Sequence, residues 1–287
     1  MNVTLKIEEA SCIKCGRCVR VCPSKIFRQE AAGKAVEIHN VKSCIVCGHC
    51  VAACPTASVL HSEFPEEKVH PVDRKSLPTP EQMMLLCKAR RSNRAFSRAS
   101  VPPELLEQIL EAAHRAPTAS NRQNVGFTLV TNPEKLRQVS DFTIGVFASI
   151  VKRLSNPVVK LIVKPIAPEL YDYLPVFNRL ISEYAKGNDL ILRNATALIL
   201  IHTPGNSRFG CQDANLAYQN GSLMAESLGV SQFYTGFVCS AIHQDKQGKL
   251  AKILGIQGKI HAGMALGMPA FRYKNYIDRK DLKVNRL

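Results

Sequence analysis

A run of four cysteines, Cys12, Cys15, Cys18 and Cys22, closed by Pro23, recurs as Cys44, Cys47, Cys50 and Cys54, closed by Pro55. No other feature constrains the fold as tightly, because eight thiols at fixed steps must converge on something. The C-x2-C-x2-C-x3-C-P spacing is that of ligands to [4Fe–4S] clusters, and two copies mean two clusters. Three thiolates two residues apart wrap one cube, while the fourth, beyond a prolyl turn, reaches the other. The expected sets are therefore Cys12, Cys15, Cys18 and Cys54 for one cluster and Cys44, Cys47, Cys50 and Cys22 for the other. Gly16 and Gly48 follow the second cysteine of each run, where the loop passes close to the sulfides and a Cβ would intrude.

A structural zinc site would use two C-x2-C pairs across a longer loop, with no need of a third cysteine or of Cys-Pro. A disulfide framework belongs to small secreted domains. The first sixty or so residues resemble bacterial ferredoxins. The other thiols, Cys87, Cys211 and Cys239, are scattered, which argues for two domains: a ferredoxin-type domain over 1–61, a proline-rich linker over 62–80, and a larger domain over 81–287. The N-terminus has no apolar signal-peptide core, and the longest apolar stretches, 142–151 and 195–201, are too short to span a bilayer. Thiolate ligands without an export signal lead us to expect a cytoplasmic protein with no transmembrane segment.

The net charge of +15 excludes less than it suggests. Loading two clusters roughly neutralises the first domain, since each carries about −2 with its thiolates. The surplus belongs to the remainder. The chain has no Trp and no basic stripe interleaved with aromatics, so nucleic acid is not expected as a partner. Phosphate-bearing cofactors and an acidic redox protein as donor fit better.

Beyond the linker, periodicity predicts helices over 81–91, 102–116, 213–228 and 248–254. Strands are predicted over 127–131, 195–203, 232–238 and 260–267. Helices and strands interleave, so the domain is α+β or α/β; α+β is the class expected for the chain. The stretch 141–188 is long for a connection and mixes Phe142, Ile144, Phe147 and Ile150 with Lys152, Arg153, Lys160 and Lys164; we expect a lid. A basic amphipathic patch at a membrane surface is the other reading.

Arg90-Arg91-Ser92-Asn93-Arg94-Ala95-Phe96 places three guanidiniums and a hydroxyl within five positions after a helix. Such forks suit a phosphate. Downstream, Ala116-Pro117-Thr118-Ala119-Ser120-Asn121-Arg122-Gln123 forms a polar helix-to-strand loop of the kind that can meet a flavin edge. In order and spacing these stretches resemble the nitroreductase-like flavoprotein family from about residue 80 to the C-terminus. The resemblance includes Tyr234-Thr235-Gly236-Phe237 and Leu266-Gly267-Met268-Pro269 with the basic tail beyond it.

That resemblance implies a sheet flanked by helices, an intertwined homodimer and FMN. Arg90, Arg91, Ser92, Arg94 and Arg279 would take the phosphate and ribityl chain. Pro117, Thr118, Ala119, Asn121 and Gln123 would line the isoalloxazine, often from the other subunit, with backbone donors at Thr235 and Gly236. The chain departs from the family at Gln123-Asn124-Val125 and at Met268-Pro269, both at the pocket wall.

Cys87 and Cys239 read as core thiols and Asp213 as an N-cap. His61, His70, His114, His202, His243 and His261 have no metal-ligand spacing. No essential acid–base side chain is expected. The implied function is an FMN-dependent iron–sulfur oxidoreductase acting on a nitro, quinone or similar small acceptor. The alternative is an electron-transfer component whose acceptor is another protein.

Overall fold

The computed structural model describes residues 3–287. They divide into two units: the chain up to Pro78 with Ala119–Arg122, and Thr79–Thr118 with Gln123–Leu287.

In the first unit β1 (Leu5–Ile7) is followed by α1 (Arg17–Val21), β2 (Phe27–Gln29), β3 (Val36–Ile38), α2 (His49–Ala52) and β4 (Val59–His61). The strands form two antiparallel ribbons, β1 with β4 and β2 with β3, with Leu5 opposite His61 and Phe27 opposite Ile38. Each helix starts from a left-handed glycine, Gly16 at φ 68° and Gly48 at φ 70°. A side chain there would also collide. A Cβ on Gly16 would run into Gln29 Oε1, and one on Gly48 would lie 3.2 Å from the Phe64 ring. The buried core is only Cys18, Ile26, Phe27, Cys50 and Val59.

The second unit opens with α3 (Pro80–Ala89), started by a Thr79–Gln82 capping box. There follow α4 (Pro103–His114), β5 (Gly126–Val130), α5 (Pro133–Leu154), α6 (Pro157–Ile166), α7 (Glu169–Asp172) and α8 (Leu174–Ala185). Then come β6 (Ala197–Thr203), α9 (Gly210–Ser227), β7 (Ser231–Tyr234), α10 (Gly236–Gln244), α11 (Lys249–Leu254) and β8 (Lys259–Gly267). The sheet runs β5-β6-β8-β7, antiparallel throughout.

β6 explains the layering. Its continuous apolar sequence serves two faces, because side chains alternate across the sheet. Ala197, Ile199 and Ile201 pack with Ile109 and Ala113 of α4 and Ala214 and Ala217 of α9. Leu198 and Leu200 face Val139 and Phe147 of α5 and Val238 and Ala241 of α10. The result is helix, sheet, helix. Among the described residues no helix is long and apolar enough to cross a membrane.

Three elements differ from expectation. The strand predicted over 232–238 stops at Tyr234, and Gly236 opens α10. Val238 and Ala241, three apart and both buried, are a helix repeat that alternation had masked. The helix predicted from 213 begins at Gly210, so Asp213 is a buried first-turn residue instead of an N-cap. The stretch 141–188 is largely helical, and its first part is core. Phe147 stacks on Phe177 at 4.3 Å and meets the Phe237 edge at 6.0 Å. By contrast α6 turns Val158, Leu161 and Ile166 to solvent.

Phe147 is 1% exposed, so Phe147→Ala should cost about 3–5 kcal/mol. Denaturant unfolding should show a lower midpoint with an unchanged slope. A loss under 1 kcal/mol would mean that the α5–α8–α10 junction is not the core it looks to be.

Candidate functional site

In the N-terminal unit the thiols gather round two small cavities. One is lined by Cys12, Cys15, Cys18 and Cys54, together with Ile7, Val36 and Val59. The other is lined by Cys22, Cys44, Cys47 and Cys50, with Leu5, Ile26 and Phe27. Each therefore combines three thiols of one run with the fourth of the other. Backbone amides point at the crossing sulfurs: Ser58 N–H donates to Cys54 Sγ at 3.2 Å and Ile26 N–H to Cys22 Sγ at 3.4 Å.

Burial pushes the Cys50 thiol up to about 11, and neighbouring Cys47, Cys44 and Cys22 push the same way. Cys18 is likewise raised by burial, with Cys12 and Cys15 adding to it. Burial raises Cys54 too, but hydrogen bonds from the Thr56 backbone and hydroxyl and from the Ser58 and Val59 amides outweigh it, and the net direction is down. A thiolate in so buried a setting needs a positive centre beside it, which a metal cluster supplies.

In the C-terminal unit, Arg90, Arg91, Ser92, Arg94 and Arg279 line one cavity of about 780 Å³, with Lys88, Tyr273 and Tyr276. Asp278 is the single carboxylate in that lining. The arginine segment is held in place by Asn93, which is 6% exposed. Its Nδ2 donates to Ser231 Oγ at 2.9 Å and to Phe271 O at 3.1 Å, and its Oδ1 accepts from Ala95 N–H at 3.0 Å. Ser92 bridges in parallel to Gln232. The Gln232 Oε1 accepts the buried Tyr218 hydroxyl at 2.7 Å. Burial raises that hydroxyl to about 12, while Arg90 and Arg94 pull the other way.

Aromatic rings support the cations: Arg94 lies over Phe233 at 5.4 Å, Arg91 over Tyr273 at 5.9 Å and Lys88 over Tyr276 at 5.1 Å. Arg193 is lowered, first by burial and then by Arg94 and Arg179. Asp189 acts the other way on Arg193, and Arg193 does not itself line the cavity.

The remaining expected residues do not line this cavity. Thr118 Oγ1 accepts from Gln123 N–H at 2.9 Å, and both residues border a separate small hollow with His114, Ala116 and Val125. Ala119–Arg122 group with the N-terminal unit, where Asn121 Nδ2 donates to Ile45 O at 3.1 Å and Val46 O at 2.7 Å. Thr235 N–H is committed to Gly263 O at 2.9 Å. Gly236 is the first residue of α10, so its N–H has no intrahelical partner.

Cys87 is exposed in the cavity wall and not a core thiol. Cys239 is raised by burial, against hydrogen bonds from Tyr234 and Thr235 that lower it. The sequence reading passed over Asn93, Lys88, Tyr273 and Tyr276. Two tyrosines three apart among basic tail residues were the available signal; nothing local marked Asn93.

Residues 87–268 match the sequence model of the nitroreductase family, and residues 4–55 match that of the 4Fe-4S dicluster domain. Among solved structures, an FMN-bound nitroreductase from Desulfitobacterium hafniense DCB-2 aligns at a TM-score of 0.55 with 20% identity, over 71% of this chain and 97% of that one. An FMN-bound nitroreductase from Bacteroides fragilis NCTC 9343 aligns at 0.52 with 20% identity, over 71% and 99%. A BluB-like flavoprotein from Clostridium difficile 630 aligns at 0.53 with 19% identity, over 69% and 94%. At these identities the likeness is one of fold.

The cavity linings lead to a direct test. Cys22→Ala should damage the cluster of Cys44, Cys47 and Cys50 and spare that of Cys12, Cys15 and Cys18. Low-temperature EPR of the reduced variant reads this, and loss confined to the Cys12 cluster would refute the crossing.

Proposed function

Because this chain belongs to the nitroreductase family and carries a 4Fe-4S dicluster domain ahead of it, we propose an iron–sulfur flavoprotein oxidoreductase that uses two [4Fe–4S] clusters and FMN to reduce a nitroaromatic, quinone or similar small acceptor. The observation that carries this reading is the gathering of Arg90, Arg91, Arg94 and Arg279 with Ser92 round one cavity. Guanidinium forks match phosphate oxygens, and a single nearby carboxylate leaves the charge available. The FMN bound in the nitroreductases of D. hafniense and B. fragilis supports the choice of anion.

Each residue then has a definite task. Arg90, Arg91, Arg94 and Arg279 hold the phosphate, and the Ser92 hydroxyl donates to it or to the ribityl chain. Asn93 and Gln232 fix the backbone from which those side chains extend. Gly236 offers its open N–H beside the ring system, while Thr235, tied to β8, sets where that N–H points. Bound FMN supplies the exchange between one-electron and two-electron chemistry. No side chain is assigned as an acid or base.

A second copy of the chain completes the pocket in this reading. Pro117, Thr118, Ala119, Asn121 and Gln123 line no part of the arginine cavity within one chain, so a homodimer supplies them across its interface. Of the stretch 141–188 expected as a lid, α5 and α8 are core, and the solvent-facing α6 is the part that limits acceptor size. The cluster ligands are Cys12, Cys15, Cys18 and Cys54, and Cys22, Cys44, Cys47 and Cys50. An acidic redox protein is the donor, complementary to the basic surface, and the setting is cytoplasmic.

Anaerobic purification with iron, sulfide and flavin analysis is the first test. Arg91→Ala or Arg94→Ala each removes a charged hydrogen bond of about 1.5–3 kcal/mol, which weakens FMN binding roughly 10- to 150-fold. Cluster content should stay intact; unchanged FMN affinity in both variants would remove the arginine cavity from the proposal. Cys47→Ser in the full chain should keep FMN and turn over with a small chemical reductant but fail with reduced ferredoxin. Full activity of that variant on NAD(P)H would mean that electrons do not enter through the clusters.

A further inference from the structure

We propose that His61 tunes the cluster held by Cys22, Cys44, Cys47 and Cys50, raising its reduction potential through an Nε2–H hydrogen bond to Cys44 Sγ. The residue lies beyond the dicluster match, which ends at residue 55. It has no ligand spacing, and it reaches the cavity only because β4 folds back onto β1. Pairing opposite Leu5 turns its ring inward, where it is 5% exposed and lines the second cavity.

Three contacts fix the ring. Its plane tilts against Phe64 at 4.8 Å between centroids, and Phe64 itself rests on Gly48, the glycine after Cys47. The Glu63 N–H donates to His61 Nδ1 at 3.1 Å, so the neutral ring carries its proton on Nε2, as the partner of one nitrogen sets the state of the other. That nitrogen lies 3.5 Å from Cys44 Sγ. With Nδ1 accepting, the Nε2 proton faces this sulfur.

The two cavities are otherwise alike in how the crossing cysteine is met. Ser58 N–H serves Cys54, and Ile26 N–H serves Cys22. At the first cavity Cys54 Sγ also meets the Thr56 hydroxyl, at 3.8 Å and shared with Ser58 Oγ at 2.7 Å, and the Thr56 and Val59 amides. At the second, Cys44 Sγ also takes Val46 N–H at 3.4 Å, and what the first lining lacks is an imidazole. On one-electron reduction, negative charge grows on the thiolate sulfurs. A fixed N–H aimed at one of them stabilises the reduced state more than the oxidised one. Burial keeps water from screening that dipole. The effect is local to one cluster, so His61 makes the two redox centres inequivalent. The inference rests on both clusters being loaded.

The test uses the full chain, titrated anaerobically with dithionite as the reductant and followed by EPR. His61→Phe keeps the ring packing against Phe64 and removes the donor; the midpoint of one cluster should move to more negative potential and the other should stay. His61→Gln restores a donor and should return the midpoint toward wild type. Equal movement of both clusters, or of neither, overturns the proposal. Iron near eight atoms per chain in wild type and variants separates failure of this inference from failure of cluster loading. If His61→Phe strips the cluster, pulsed EPR of the reduced wild-type protein labelled with ¹⁵N-histidine decides. An imidazole nitrogen coupling that disappears in His61→Gln supports the bond, and its absence in wild type overturns it.

Discussion

The C-terminal site depends on one buried amide. Asn93 has its donors on Ser231 Oγ and Phe271 O and its acceptor on Ala95 N–H, so three stretches of chain distant in sequence meet at a single side chain. A buried amide deprived of its partners costs about 1–3 kcal/mol, and any other path for the arginine segment would incur that cost. The tail is held alongside by Ser97 N–H to Met268 O at 2.8 Å and Ala270 N–H to Ala95 O at 3.0 Å. Arg90, Arg91 and Arg94 therefore extend from backbone that is already ordered. An anion entering among them has to order side chains only, which is where preorganisation gives affinity.

The N-terminal unit is built on a different balance. Its apolar core is so small, and two of its five buried members are cysteines, that burial alone cannot hold it. Metal–thiolate bonds have to supply the difference, which couples folding to loading. The raised Cys50 and Cys18 thiols are the same fact seen without metal: a desolvated thiolate is stable only beside a cation. The crossing of Cys22 and Cys54 adds a topological consequence. With the proposed ligand sets, each cluster would tie the two halves of the unit together.

How much of this was legible in sequence varies with the physics involved. The cysteine runs were readable in full because ligand spacing is a local property. That the arginine segment gathers round one cavity was readable because its charges are adjacent in the chain, and Arg279 came from the family resemblance. The tail tyrosines and Asn93 were not, since their roles arise from pairings more than 100 residues apart. Gly236–Val238 was expected as strand because β7, buried at three successive residues, runs almost directly into an apolar helix start. His61 was not expected as a metal ligand, on spacing. Spacing says nothing about a donor aimed at a ligand, which only the β1–β4 pairing discloses.

The chain's excess charge bears on the same cavity. Arg193 is pushed down by burial and by Arg94 and Arg179, against Asp189, and of these only Arg94 lines the arginine cavity. Surface positions would have relieved that repulsion at little cost. Instead the fold gathers guanidiniums round one cavity with Asp278 as its only carboxylate and fixes their backbone with a buried amide. Repulsion of that kind is offset when a dianionic group sits among the forks, and whatever binds the folded state alone also stabilises it. On the proposed reading the phosphate completes the electrostatics of that cavity, as iron does in the N-terminal unit. Each unit then gathers ligands of one kind, thiols in the first and guanidiniums in the second, and each is completed by a group whose charge opposes that of the binding form.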